Sequence, residues 1–148
     1  MVAILFRALT AVTVMMVEQL GLEIMPWWFF ASSGLISGTI RGTPKPGVGP
    51  QDVALSIIGA VYKNGYVKNK AMEFVGPGVA NLSADYRNGI DVMTTETTCW
   101  SSIWQTDDTT KEYFVQHGRP EAYKELKPAD VAYYDGCIEL DLSTVECM

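Results

Sequence analysis

With 148 residues, 48% of them hydrophobic and 19% charged, the chain has the size of one folded domain and can bury a real core, which excludes a disordered tail. A net charge of −6 argues against a general DNA- or RNA-binding surface, which needs a basic excess. Three cysteines without Cys-x-x-Cys spacing and a single histidine argue against a disulfide framework, offer few metal ligands, and fit a reducing cytoplasm.

Residues 1–34 read as an N-terminal helical segment. Arg7 ahead of the apolar run from Ala8 to Val17 has the outline of a signal peptide, but the run is short, no small-residue cleavage site follows, and Glu18 and Glu23 interrupt it. The next uncharged stretch, Ile24 to Ile40, is diluted by Pro26, Ser32, Ser33, Gly34, Ser37 and Gly38 and falls short of the roughly 20 apolar residues a spanning helix needs. A buried helix over residues 8–20 closing near Gly21, with no membrane span, is the expectation.

Leu35 to Arg41 reads as a strand, and the Pro- and Gly-rich run from Gly42 to Gly49 as a loop. A helix follows: Pro50 suits its first position, Asp52 its first turn, and Val53, Ile57, Ile58 and Val61 recur at helical spacing before Asn64-Gly65. Ala71 to Val75 reads as a buried strand, turned out by Gly76-Pro77-Gly78. Ser83 is an N-cap for a helix from Ala84 to about Thr97, with Asp85 in its first turn. Ser101 to Trp104 is a short strand. Thr106 is placed as the cap of a further helix with Asp107 and Asp108 at its positive end and Gly118 at its close. Pro120 opens a helical turn, and Cys137 to Leu142 alternates like a final strand. Strands alternating with helices predict an α/β fold: a three-layer α/β/α sandwich with a mainly parallel sheet and helices on both faces.

Most chemistry-bearing residues have ordinary readings. Gly76-Pro77-Gly78 stands where α/β folds often hold phosphate, but it is not G-x-G-x-x-G and lacks a phosphate-loop lysine, so a structural turn is expected. Lys63, Lys68 and Lys70, interleaved with Tyr62 and Tyr66, read as a solvated loop on an acidic protein. Asp107 and Asp108 suit a helix start and His117 a helix end, while Glu139 and Asp141 share the exposed face of a strand. Asn81-Leu82-Ser83 matches a glycosylation acceptor, yet Ser83 already has a capping role.

The run Thr94-Thr95-Glu96-Thr97-Thr98 differs. Threonines are poor helix formers, and four around one carboxylate need a reason. The expectation is a polar surface near the carboxyl ends of the strands, where open α/β sheets bind ligands.

Pro50 to Val53, the segment Glu73-Phe74-Val75-Gly76-Pro77-Gly78-Val79, Leu82-Ser83, Met93 to Glu96, Ser101-Ser102-Ile103, and Tyr134-Asp135 through Ile138 to Ser143 together resemble the aconitase superfamily, in order and with few gaps. The resemblance covers about residues 35–148 and is weak over 1–34, and the chain is similar to the second α/β domain of the iron–sulfur region in the aconitase-like hydratase branch. It implies a fragment of a hydro-lyase that dehydrates and rehydrates a hydroxy di- or tricarboxylic acid on a 4Fe-4S cluster. The cluster's cysteines belong to a following domain, in a Cys-Thr-Asn type motif and a Cys-x-x-Cys motif. Cys99, Cys137 and Cys147 do not match them, and the serine base and substrate-gripping arginines also lie elsewhere. The partners implied are therefore the remaining domains and a small carboxylic acid, with the isolated chain inactive and open to homo-oligomerisation through faces its neighbours would cover.

From this domain the family site takes an Asn-x-x-x-Glu pair on one helix face. Glu96 matches the glutamate and is the catalytic candidate. Val92 stands at the asparagine position, and Thr94 replaces a glycine. An apolar side chain at Val92 makes no hydrogen bond. The alternative is therefore an aconitase-like scaffold that has lost catalysis and serves binding, RNA included, or structure.

Overall fold

The computed structural model describes residues 34–148; the helix expected over residues 8–20 lies outside them. Four strands form one wholly parallel sheet: β1 (Leu35–Arg41), β2 (Ala71–Val75), β3 (Ser101–Trp104) and β4 (Gly136–Asp141), in the order β3-β2-β1-β4. Three helices lie in the crossovers: α1 (Pro50–Val61), α2 (Ala84–Thr94) and α3 (Asp108–Gln116). The fold is α/β, as the alternation of strands and helices predicts. Among the described residues no helix is long and apolar enough to cross a membrane.

Register decides which side chains meet. Ile36, Gly38 and Ile40 of β1 lie beside Met72 and Phe74 of β2 and, by the two-residue period of a strand, share one face. That face carries the core: Val53, Ala54, Ile57 and Val61 from α1 and Ile90 from α2 close over it. Glycine at 38 is dictated by Phe74, because a Cβ there would sit 2.5 Å from the ring. The Phe74 ring in turn lies against Trp104, centroids 4.5 Å apart. On the opposite face Glu73, only 2% exposed, accepts a hydrogen bond of 2.7 Å from the Tyr134 hydroxyl, so the segment entering β4 passes across it.

The helix ends follow local chemistry. Pro50 begins α1, and the Asp52 carboxylate accepts from the Gly49 N–H at 2.7 Å. Ser83 caps α2 by accepting from Tyr86 N–H at 3.1 Å. The cap of α3 is Asp107, not Thr106: the Asp107 carboxylate accepts from Thr110 N–H at 3.0 Å, while the Thr106 hydroxyl accepts from Leu126 N–H at 2.7 Å. The final strand starts and ends one residue earlier than alternation predicts and exposes Cys137, Glu139 and Asp141 on one side.

Asp107 has a second role that ties the crossovers together. Its two oxygens take a forked ion pair from Arg87 of α2, which is 3% exposed and also donates to the carbonyls of Val79 (2.9 Å) and Leu82 (3.1 Å). Burial disfavours the Asp107 anion, but the bonds from Arg87 and the Thr110 N–H outweigh it and its pKa falls below the ordinary value.

Candidate functional site

Helix α2 gives way after Thr94 to a single 3-10 turn, Thr95–Thr97. Thr98 then takes a left-handed backbone (φ +61°), which ends the turn and sends the chain through buried Cys99 into β3. The connection therefore delivers the threonine run to the start of β3. Backbone bonds from Asn69 N–H to the Thr98 carbonyl (3.0 Å) and from Trp100 N–H to the Lys70 carbonyl (2.8 Å) fasten it beside the start of β2. The run lies at the amino edge of the sheet. The expected position near the carboxyl ends of the strands is wrong, because a helix in a parallel crossover runs antiparallel to its strands and ends where the next strand begins.

The threonines divide by burial. Thr94 and Thr97 are buried, and Thr95, Glu96 and Thr98 are exposed. Thr97 Oγ1 donates to the Thr94 carbonyl at 2.6 Å, and Thr94 Oγ1 donates to the Asp91 carbonyl at 2.8 Å and lies 3.0 Å from Ser102 Oγ. Hydroxyls that destabilise a helix interior here satisfy the backbone where the helix unwinds. Glu96 projects from this turn and forms no hydrogen bond or ion pair among the described residues. Val92, four residues earlier, is 76% exposed.

Behind the turn stands a group that sequence reading did not single out. Asp91 Oδ1 accepts from the Trp104 indole N–H at 2.8 Å and from the Ser102 hydroxyl. Burial pushes the Asp91 carboxyl up to about 6, against the opposing effect of these two donors. A signal was present: Ser102 and Trp104 share one face of β3, and an indole N–H turned toward a core requires an acceptor. Glu73, a buried carboxylate on the opposite face of the sheet, likewise has its pKa raised by burial, opposed by the Tyr134 bond.

The remaining candidates are structural. Gly76 has φ +104°, and a Cβ there would lie 2.7 Å from the Ile40 carbonyl, while one at Gly78 would meet the Arg41 backbone at 2.8 Å. Gly76-Pro77-Gly78 is thus a turn pressed against the end of β1. His117 bonds the Tyr113 carbonyl through Nδ1 at 2.8 Å and stacks on its ring. Glu139 pairs with Arg41, Asp141 accepts from Ser143 N–H, and Asn81 donates to the Gly42 carbonyl. Lys63 and Lys68 are exposed, and Lys70 bonds the Tyr66 carbonyl. Cys99 is buried whereas Cys137 and Cys147 are exposed, and no group of three or more His, Cys, Asp or Glu among the described residues forms a metal site.

Comparison with known proteins supplies the context of the turn. The model of the aconitase family (aconitate hydratase) matches residues 18–148. The 3-isopropylmalate dehydratase large subunit of Clostridium botulinum is 36% identical over 119 residues, 80% of this chain and 28% of that protein. The 2,3-dimethylmalate dehydratase large subunit of Eubacterium barkeri is 34% identical over the same shares of the two chains. A 3-isopropylmalate dehydratase large subunit of Thermotoga maritima is 31% identical over 111 residues, 75% of this chain and 26% of that one. The chain thus spans little more than a quarter of the length of these relatives. With the family model covering the sheet, its crossovers and the Glu96 turn, the chain belongs to the aconitase family.

Proposed function

We propose that this chain is one domain of a hydro-lyase that interconverts a hydroxy dicarboxylic or tricarboxylic acid and its unsaturated counterpart. The relatives are named for malates alkylated at C3, and a malate of that kind is the first substrate to test. The observation that carries the reading is Glu96. It is an exposed carboxylate without a partner among the described residues, on a turn where the hydroxyls of Thr94 and Thr97 are bonded inward. In this reading Glu96 exchanges a hydrogen bond or a proton with the substrate hydroxyl that is lost or gained as water.

The family resemblance carries a 4Fe-4S cluster. The residues described here do not fit as its ligands, since one cysteine is buried and the other two are exposed at opposite ends of β4 and its following tail. A cluster in the parent protein would be held by chain outside residues 34–148, and Glu96 acts through its own carboxylate. The parent's other domains or subunits complete the site in a cytoplasmic enzyme, and this chain alone is inactive.

The test is turnover by the complete parent protein, made anaerobically and offered 3-isopropylmalate, 2,3-dimethylmalate and cis-aconitate. Glu96→Gln should lower kcat by about 100-fold or more on whichever acid is used. Unchanged kcat removes Glu96 from the chemistry.

Val92 supports a second reading, in which the scaffold has lost catalysis and binds a partner, RNA among them. A largely exposed valine occupies the position where the resemblance expects an asparagine. No turnover by the parent or by its Val92→Asn variant, together with retained folding, favours that reading.

A further inference from the structure

The Asp91 carboxylate is built into the seam between α2 and β3. Both of its hydrogen-bond donors, Ser102 Oγ and Trp104 Nε1, come from β3, while its own carbonyl receives Thr94 Oγ1 at 2.8 Å. Thr94 also meets Ser102 Oγ at 3.0 Å, and its carbonyl receives Thr97 Oγ1 at 2.6 Å and Cys99 Sγ at 3.3 Å. A continuous path of hydrogen bonds therefore runs from β3 through Asp91 and Thr94 to Thr97. Glu96 is enclosed in that path by sequence and left out of it by contact.

The geometry points to Asp91 as a positioning residue for Glu96: by clamping the last turn of α2 to Ser102 and Trp104 it fixes the direction in which the Glu96 carboxylate leaves the surface. This rests on the reading of Glu96 given above. It predicts that loosening the clamp acts on turnover rather than on folding alone, because a reacting group displaced by about 1 Å loses on the order of 100-fold in rate.

The electrostatic surroundings of Asp91 are simple. Arg87, one turn earlier on α2, is engaged by Asp107 at the start of α3. Asp52, on α1, is held by the N–H groups of Gly49 and Met148. Of the titratable groups on the packed elements, the Cys99 thiol is the one coupled to Asp91, whose charge adds to the burial that raises it. With a value of about 6, Asp91 is mostly ionised at neutral pH and protonates just below it, which makes the clamp observable.

Two measurements test the proposal. In the parent enzyme, Asp91→Ala should lower kcat about 10- to 100-fold with KM little changed, whereas Asp91→Asn, which keeps an oxygen acceptor for both donors, should restore most of the rate. Combined with Glu96→Gln, Asp91→Ala should cause no further loss, since both act through one group. Full additivity, or an Asp91→Asn as impaired as Asp91→Ala, overturns the positioning role even where Glu96→Gln alone is impaired. A silent Glu96→Gln removes the functional reading instead. Independently of activity, NMR of this 148-residue chain should show the Trp104 indole N–H and the amides of Glu96 and Thr97 titrating together near pH 6, and all three flat in Asp91→Asn. An indole that titrates while the two amides stay still overturns the clamp.

Discussion

Asp91 and Arg87 lie one helical turn apart on α2, Arg87 buried and Asp91 half-buried, and the two charges are accommodated differently. Arg87 has a forked carboxylate partner and two carbonyls, so removing it strands Asp107 and two backbone acceptors. Arg87→Ala should destabilise the fold by about 3–5 kcal/mol, read as a shift of the urea unfolding midpoint. Asp91 has neutral donors alone, and its folded pKa of about 6 lies above the ordinary 3.8. The folded state therefore holds a proton that the unfolded chain has already released. The stability this gives is complete below the unfolded value and is lost as pH rises through the folded one. Asp91→Asn abolishes the titration, so its stability relative to the unmodified chain should rise by up to about 3 kcal/mol between roughly pH 4 and pH 7. Equal pH dependence of the two proteins in urea unfolding would contradict the assignment. At this scale local chemistry was legible where a residue acts on its own neighbours, as Ser83 and Asp52 do. It was not legible for Asp91 or for the Arg87–Asp107 pair, whose partners come from elements 11 to 20 residues away and meet only through the crossovers.

The elements themselves were largely readable. β1, β2 and β3 have the bounds that the apolar runs and the Gly/Pro breaks dictate, and α1 starts at Pro50 as expected and ends at Val61, ahead of the Asn64-Gly65 stop, because each of these signals is local. The misplaced cap of α3 has a simple origin. Thr106 and Asp107 are both good caps, and the choice was made by Leu126, which occupies the Thr106 hydroxyl. The Glu96 turn was assigned to the wrong edge of the sheet because residue type says nothing of strand direction. Two glycines provide opposite tests of how the elements are built. Gly76 adopts φ +104° against the Ile40 carbonyl, so Gly76→Ala should destabilise by roughly 2 kcal/mol or more. Gly59 lies within α1, is exposed, and a Cβ there meets nothing within 4 Å, so Gly59→Ala should stabilise by roughly 0.5–1 kcal/mol. Thermal unfolding checks both, and the two shifts in Tm should have opposite signs.

For the molecule as a whole, the relatives are between three and four times longer than their aligned portion, and several apolar side chains stand in water here. Val92, Val131 and Tyr133 are 76%, 65% and 70% exposed. The isolated chain should therefore associate with itself as concentration rises, despite its acidic balance, and light scattering should show Tyr133→Lys weakening that association. Family and fold class were both visible in the sequence, through the Glu-Phe-Val-Gly-Pro-Gly segment and the alternation of elements. The strand order was not. β4 lies beside β1, with Gly136 opposite Ile36 and 100 residues of separation between them. The pairs β1–β2 and β2–β3 close over 36 and 30 residues. Such a chain can condense its β1-to-β3 half early, but the open flank of β1 must wait for a partner from far along the polypeptide. Folding should then show a slow step confined to residues 136–141, during which that flank is free to recruit a strand from another molecule.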